Sequence, residues 1–438
     1  MKIDDLAING GPKVGTEPWS PWPYFDHEMI KAVTGVLQSG KVNYWTGEIH
    51  HLVDGTKVRG ETGLFEYEFA AYHGVKHAIS LANGTLTLEL ALEMFGIGTG
   101  DEAITTTRTF IASASACVMR GVKPVFADIC QISQNITAAS IEKLITEKTR
   151  AVIVVHLGGW ACEMDEIREV LDRKGKEFAH KIYLIEDCAQ SLGGEYKGRK
   201  LGSIGDAGSF SFCQDKIITT GGEGGMLIMN DDQAYRRAWA FKDHGKDFDK
   251  YNQTLKHSLV DYEKAKKVSY YSRMGTNWRM TEMQAAIGRI ALTQLDSWNL
   301  AHRKKYAKML DEGFSTIPGL KVMKAPDHIV HPYYKYYVFI DLDQLNENWN
   351  RDSAMKAINA EGVPCLFGST WGIGKEDAWK NVHFPNGEII DMQQKDDFPN
   401  DFYVGSSVLM FQVHPTLKKK HIEATIMAVK KVMAIATK

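Results

Sequence analysis

Ser209-Phe210-Ser211-Phe212-Cys213-Gln214-Asp215-Lys216, followed by Ile217-Ile218-Thr219-Thr220-Gly221-Gly222-Glu223-Gly224-Gly225, is the stretch from which the fold is read. It sets one lysine between a short apolar strand and a turn holding four glycines. A lysine tucked against apolar strand residues loses solvation. That favours the neutral amine and makes Lys216 a candidate Schiff-base nucleophile. Upstream, Ile185-Glu186-Asp187-Cys188-Ala189-Gln190 closes another apolar run with a carboxylate.

Outward from these two runs, short apolar strands alternate with helical periods. Strands are expected at 78–81, 102–105, 124–127, 151–156, 182–185, 209–212 and 226–229, with helices at 64–72, 85–95, 111–119 and 164–173 between them. Strand–helix–strand at this spacing means an α/β fold with a mostly parallel sheet flanked by helices. Ligands of such sheets sit outside the carboxyl ends of the strands. Before this region, residues 1–35 read as an N-terminal arm, and irregular, aromatic-rich chain continues to about residue 60. After it come a polar Lys/Tyr-rich stretch over 245–275 and one long amphipathic helix over 281–314. A smaller α+β domain over 301–438 follows, with a strand at 336–342 and a last helix at 418–434. The segment 368–400 shows little periodicity and reads as a functional or mobile loop. The large domain is therefore placed at 36–300.

At 438 residues the chain exceeds one ordinary core, which agrees with two domains. Apolar residues make up 44% and charged residues 24%, as in soluble globular proteins. Lys and Arg total 52 against 54 Asp and Glu, a net charge of −2 with no run of like charges, so neither nucleic acid nor an anionic membrane is an expected partner. No apolar stretch approaches the roughly 18 residues of a membrane helix. The first residues carry no apolar signal core, and the six cysteines form no Cys-x-x-Cys pair. Both features lead us to expect a cytoplasmic protein with reduced thiols and no zinc cage.

Further candidates lie at the strand ends. Leu81-Ala82-Asn83-Gly84-Thr85 ends a strand and opens a helix, whose first amides and dipole would hold a phosphate, with the Thr85 hydroxyl adding a donor. Ser211, five residues before Lys216, is a second phosphate donor. Phe110, after the second strand, could stack on a flat ring. Asp187 is what a pyridinium nitrogen needs as partner. Each residue alone has an ordinary reading: Thr85 as an N-cap, Phe110 as core, Asp187 and Gln190 as caps of a following helix, Lys216 as a solvated lysine. Together they suggest pyridoxal phosphate chemistry.

The chain resembles the DegT/StrS-type sugar aminotransferases, a branch of the fold-type-I pyridoxal phosphate enzymes. The resemblance is carried by Gly40-Lys41-Val42-Asn43-Tyr44-Trp45-Thr46-Gly47, Ala82-Asn83-Gly84-Thr85, Thr109-Phe110-Ile111-Ala112-Ser113-Ala114 and Val155-His156-Leu157-Gly158-Gly159. It continues through Glu186-Asp187-Cys188-Ala189-Gln190-Ser191, Gly205-Asp206-Ala207-Gly208-Ser209-Phe210-Ser211-Phe212, Lys216 with its glycine turn, and Asn277-Trp278-Arg279-Met280-Thr281-Glu282, with a weaker match near His414-Pro415.

The resemblance implies an aspartate-aminotransferase-like fold and pyridoxal 5'-phosphate held on Lys216, with pyridoxamine 5'-phosphate as its alternate form. It implies that Asp187 pairs with the ring nitrogen, Gln190 meets the phenolic oxygen side and Phe110 packs on the ring face. Gly84, Thr85 and Ser211 would hold the phosphate, joined by Asn277 from a neighbouring subunit, hence a homodimer with shared sites. Trp45, Arg279 and Lys335 are candidate substrate contacts; a structural ion pair is an equal reading of Arg279. The implied reaction moves an amino group from an amino acid, L-glutamate or L-glutamine, to a keto-sugar. A nucleotide-linked keto-hexose is the first acceptor considered and a keto-cyclitol the second. A sugar dehydratase and a non-catalytic sensor are the alternatives. Dehydratase relatives carry histidine in place of the lysine, and a sensor would tolerate its loss, so Lys216 favours transamination. Many members have His-Pro before the lysine, where this chain has Cys213-Gln214-Asp215. The Lys/Tyr-rich insertion at 255–273 and the 368–400 segment also depart from the family pattern.

Overall fold

The computed structural model describes residues 2–250, 271–394 and 398–438. The insertion expected at 255–273 falls almost wholly outside them. Seven strands form the central sheet: β1 His77–Leu81, β2 Glu102–Thr106, β3 Lys123–Ala127, β4 Thr149–Val155, β5 Tyr183–Asp187, β6 Ala207–Ser211 and β7 Gly225–Met229. Their order is β1-β7-β6-β5-β4-β2-β3. β7 runs antiparallel to both of its neighbours and the other pairings are parallel. The expected mostly parallel sheet is thus present, with each expected strand within two residues of its place.

Helices cover both faces. In the large unit they are α1 His27–Ser39, α2 Gly60–His73, α3 Gly84–Met94, α4 Ala112–Met119, α5 Met164–Glu177 and α6 Asp232–Lys242. The alternation of β6 shows how the two layers are built. Phe210 and Phe212 turn to one face and meet Phe69 at ring distances of 5.1 and 5.6 Å. On the other face the Ser209 hydroxyl bonds the Thr87 hydroxyl of α3. Full burial of each phenylalanine is worth roughly 1.5–3 kcal/mol, which fixes the register of the strand that delivers the lysine.

The helix expected at 281–314 is interrupted. α7 spans Glu282–Thr293 and α8 spans Ala301–Phe314, joined by a π-helical turn Leu295–Leu300. Leu295, Asn299 and Leu300 are buried on this turn. Beyond α8 lies the smaller α+β unit, with β8 Leu320–Lys321, β9 Tyr336–Ile340 and β10 Val408–Phe411 in one antiparallel sheet. Its helices are α9 Arg351–Ala360, α10 Pro399–Ser407 and α11 Lys419–Ala436.

Two further expectations change. The N-terminal stretch contains α1, capped by the Asp26 carboxylate on the Met29 amide at 2.9 Å and ended by Gly40 at φ +67°. The arm before it docks on the small unit, with Leu6 in that core and Trp19 Nε1 donating to the Gly362 carbonyl at 2.8 Å. Within 368–394, Ile373, Trp379, Val382, Phe384 and Met392 bury against Ala114, Val118 and Phe126 of the large domain. Among the described residues no helix is long and apolar enough to cross a membrane.

Candidate active site

The carboxyl ends of β1, β5 and β6 meet the incoming end of β7, and the loops there carry the expected residues. Gly225 of β7 pairs with both Ser211 and Leu81, so the Asn83-Gly84-Thr85 turn, the end of β6 and the lysine loop converge. The Asn83 side chain caps α3 by accepting from the Leu86 amide at 3.1 Å. Thr85 is therefore not the cap, and its hydroxyl is not committed to one. Gly84 lies against Ser211: a Cβ added at Gly84 would stand 2.5 Å from the Ser211 Cβ. Only glycine permits that approach, which leaves a cradle lined by helix amides and the serine hydroxyl.

Asp187 ends β5 beside this cradle and is 5% exposed. Its carboxylate accepts from Ser113 Oγ at 2.8 Å and from the Ala189 amide at 3.1 Å. No helix follows it, so neither Asp187 nor Gln190 is a cap. Burial raises the Asp187 carboxyl above its ordinary range, against the pull of those hydrogen bonds and of the Lys216 charge. A cation placed against it would lower it again, which is what a protonated ring nitrogen provides. Ser113 was missed in the sequence reading; it lies inside the quoted Thr109–Ala114 motif, three residues after Phe110. The Phe110 side chain itself is 65% exposed.

Gln190 is tied down by its carbonyl oxygen, which accepts from the Gly158 amide at 2.7 Å and leaves the NH2 as its donor. Gly158 has φ +64°, and a Cβ there would stand 2.5 Å from the Tyr337 ring, so glycine is required. Beneath Asp187, His156 accepts from the Cys162 amide through Nδ1 at 3.0 Å. It therefore carries its proton on Nε2, facing the Glu186 carboxylate at 3.0 Å. Glu186 also accepts from the backbone amides of Gly202, Ile204 and Gly205 at 2.8, 2.7 and 2.5 Å. His156, Glu186 and Cys188 bring ligand atoms within 4.8 Å of one another. The carboxylate is nevertheless saturated by N–H donors, so the cluster is a hydrogen-bonded floor.

The Lys216 side chain reaches toward Asp187 from the β6–β7 loop and is 19% exposed. Its Nζ stands 3.3 Å from Tyr334 Oη and 3.3 Å from Asp215 Oδ1, and Tyr334 donates its hydroxyl to Asp215. Sequence reading gave no role to Tyr334, which meets Asp215 across 119 residues. Lys335 arrives with it: Nζ lies 4.7 Å from the Tyr334 ring centre, and burial pulls the ammonium down to about 8.

Three expected residues stand apart from this group. Trp45 is 56% exposed, with its carbonyl bonded to Arg59. Arg279 is engaged in an ion pair with Asp243, which also accepts from Tyr44 and Lys246, so its structural reading is met within the subunit. Asn277 is exposed and its backbone bridges to Asp243.

A model of the DegT/DnrJ/EryC1/StrS aminotransferase family matches residues 26–430. GDP-perosamine synthase of Caulobacter vibrioides is 37% identical over 305 residues, covering 68% of this chain and 73% of its own. A putative L-glutamine:3-amino-2,3-dideoxy-scyllo-inosose aminotransferase of Micromonospora echinospora is 34% identical over 366 residues, covering 82% of this chain and 78% of its own. Among solved structures, an aminotransferase from Psychrobacter cryohalolentis superposes with a TM-score of 0.85. It is 41% identical and covers 95% of this chain and 99% of its own.

Proposed function

The chain belongs to the DegT/DnrJ/EryC1/StrS aminotransferase family and is a pyridoxal-phosphate-dependent aminotransferase. From that premise we propose that it takes the amino group of L-glutamine or L-glutamate and places it on the keto carbon of a sugar, a nucleotide-linked keto-hexose first and a keto-cyclitol second. The observation that carries this reading is the convergence of Lys216, buried Asp187 and the Gly84–Ser211 cradle at the carboxyl ends of the strands. The two curated relatives point the same way: one is named for a GDP-linked amino sugar, the other for glutamine and an inosose.

The residues fit pyridoxal phosphate. The cofactor brings an electron sink and a carbonyl at which amines exchange. The protein would do the rest. Lys216 would supply the amine that bears the cofactor and would then serve as the proton carrier. Asp187 would keep a ring nitrogen protonated, Gln190 would offer its NH2 as a donor, and Phe110 would offer an aromatic face. Gly84, Thr85 and Ser211 receive the phosphate, with Asn277 of the partner subunit completing it in a homodimer. Lys335, beside Lys216, is the best placed of the candidate substrate contacts; Trp45 and Arg279 would serve only across the dimer interface.

The test is transfer of isotope. Protein loaded with cofactor and given amide-labelled or amine-labelled donor should place heavy nitrogen on one member of a panel of nucleotide-linked keto-hexoses and keto-cyclitols, as read by product mass. Release of water without nitrogen incorporation would instead support the dehydratase alternative.

A further inference from the structure

We propose that Asp215 and the Tyr334 hydroxyl form a docking place for the free ε-amino group of Lys216, holding it beside the site whenever it is not joined to the cofactor. The proposal rests on the reading of Lys216 as the cofactor-bearing lysine. It gives a role to the Asp215 that stands in the segment departing from the family pattern.

The three groups close a triangle. Lys216 Nζ donates to Tyr334 Oη at 3.3 Å and lies 3.3 Å from Asp215 Oδ1. Tyr334 gives its own hydrogen to Asp215 Oδ2, so the phenol oxygen has only lone pairs left to present to the amine. Burial and the Asp215 charge push the Tyr334 hydroxyl well above its ordinary range, which keeps it a donor to the carboxylate. Burial works against the Asp215 charge, but Lys216 and Tyr334 outweigh it and hold that carboxyl below its usual value. The site therefore receives an ammonium.

The triangle is held from both sides by one run of hydrogen bonds. Asn299, buried on the π-helical turn, donates to the Ile217 carbonyl at 2.6 Å and accepts from Arg303 Nε at 2.6 Å. Arg303 Nη1 donates to the carbonyls of Tyr333 and Tyr334 at 3.2 and 3.0 Å. Trp22 Nε1 fixes the Lys216 carbonyl at 3.1 Å, and the Trp22 ring lies 5.4 Å from the Arg303 guanidinium. Among the described residues, Asp215 on its own loop and Asp187 at the end of β5 act on Lys216 with opposite charge, and Lys335 with like charge. Asp215 is in direct contact, so it decides the balance. Nucleophilic attack needs a free amine lone pair, so an amine held between Asp215 and Tyr334 is withheld from attack until it leaves them.

The experiment uses cofactor-free protein and acetic anhydride. Acetylation of Lys216 is followed by peptide mass spectrometry from about pH 6 to about 10. Relative to wild type, Asp215→Asn is expected to speed labelling at a given pH by roughly tenfold, because losing the charge-assisted contact releases the amine. Tyr334→Phe moves it the same way by less, and Asp215→Glu restores the wild-type profile. Circular dichroism confirms that folded proteins are compared, and the tyrosine variant decides if the aspartate variant does not fold. Profiles of Asp215→Asn and Tyr334→Phe that coincide with wild type, or slower labelling in them, overturn the docking. Borohydride trapping of added cofactor on wild-type protein is run in parallel. A trapped Lys216 with unshifted variant profiles refutes the docking alone, whereas no trapping refutes the parent reading.

Discussion

Replacing Asp187 with asparagine removes one buried negative charge while keeping the side-chain shape. The structure accommodates the amide. Ala189 can still donate to its oxygen, and Ser113 Oγ, 3.0 Å from Thr109 Oγ1, can turn its hydrogen that way and accept from the new NH2. The fold should survive. What is lost is the partner of a buried cationic ring nitrogen, a loss of about 3–5 kcal/mol when one member of a buried pair is removed. At about 1.4 kcal/mol per tenfold, that is roughly 100- to 4,000-fold in turnover. In cofactor-free protein the sign reverses. Burial raises the Asp187 carboxyl in the folded state, so the unfolded chain gives up this proton first. Folding stability from this group is then present at low pH and lost as pH rises from the ordinary carboxylate range through the raised value. Asparagine carries no such penalty, so cofactor-free Asp187→Asn should melt at or above wild type near neutral pH. Isotope transfer and thermal melts read both arms. Wild-type turnover in a folded variant would refute the charge argument, and a markedly lower melting point would refute the accommodation.

Other predictions follow from the same geometry. Gly84→Ala drives a methyl to 2.5 Å from the Ser211 Cβ, both ends being close to backbone, and should cost about 1–3 kcal/mol in stability together with weaker cofactor binding; titration with cofactor and a melt check this. Lys335 titrates near 8 when folded and higher when unfolded, so the unfolded chain binds more protons between these values and stability should rise with pH across that window. Denaturation of Lys335→Met should show this rise flattened. If Asn277 completes the partner's site, mixing Lys216→Ala with Asn277→Ala and allowing subunits to exchange should restore about a quarter of wild-type activity, since half of the dimers gain one intact site. No recovery would contradict shared sites.

The strands and the candidate residues at their ends were legible as positions because each strand is a short apolar run ended by a chemically distinct residue: Leu81 before Asn83-Gly84, Asp187 closing β5, Ser211 closing β6. The first helix was missed although Asp26, Met29, Val36 and Gly40 mark it, because the prolines before it break the pattern and Gly35 interrupts it. The 368–400 segment misled for a different reason. Ile373, Trp379, Val382, Phe384 and Met392 anchor separate short turns and a small hairpin on α4 and β3, so their spacing follows neither helix nor strand period. Tyr334 was illegible because its meaning lies in a contact with Asp215 and Lys216 that only the folded chain makes. Asn299 was hidden likewise, since its contacts with the Ile217 carbonyl and Arg303 exist only in the folded chain.

The most direct measurement is borohydride reduction of the protein incubated with pyridoxal phosphate, followed by digestion and mass analysis of the peptide spanning the Ser209–Gly225 stretch. The account predicts a reduced pyridoxyl adduct on Lys216, absent from Lys216→Ala. An adduct on Lys335 or elsewhere with Lys216 unmodified would contradict it.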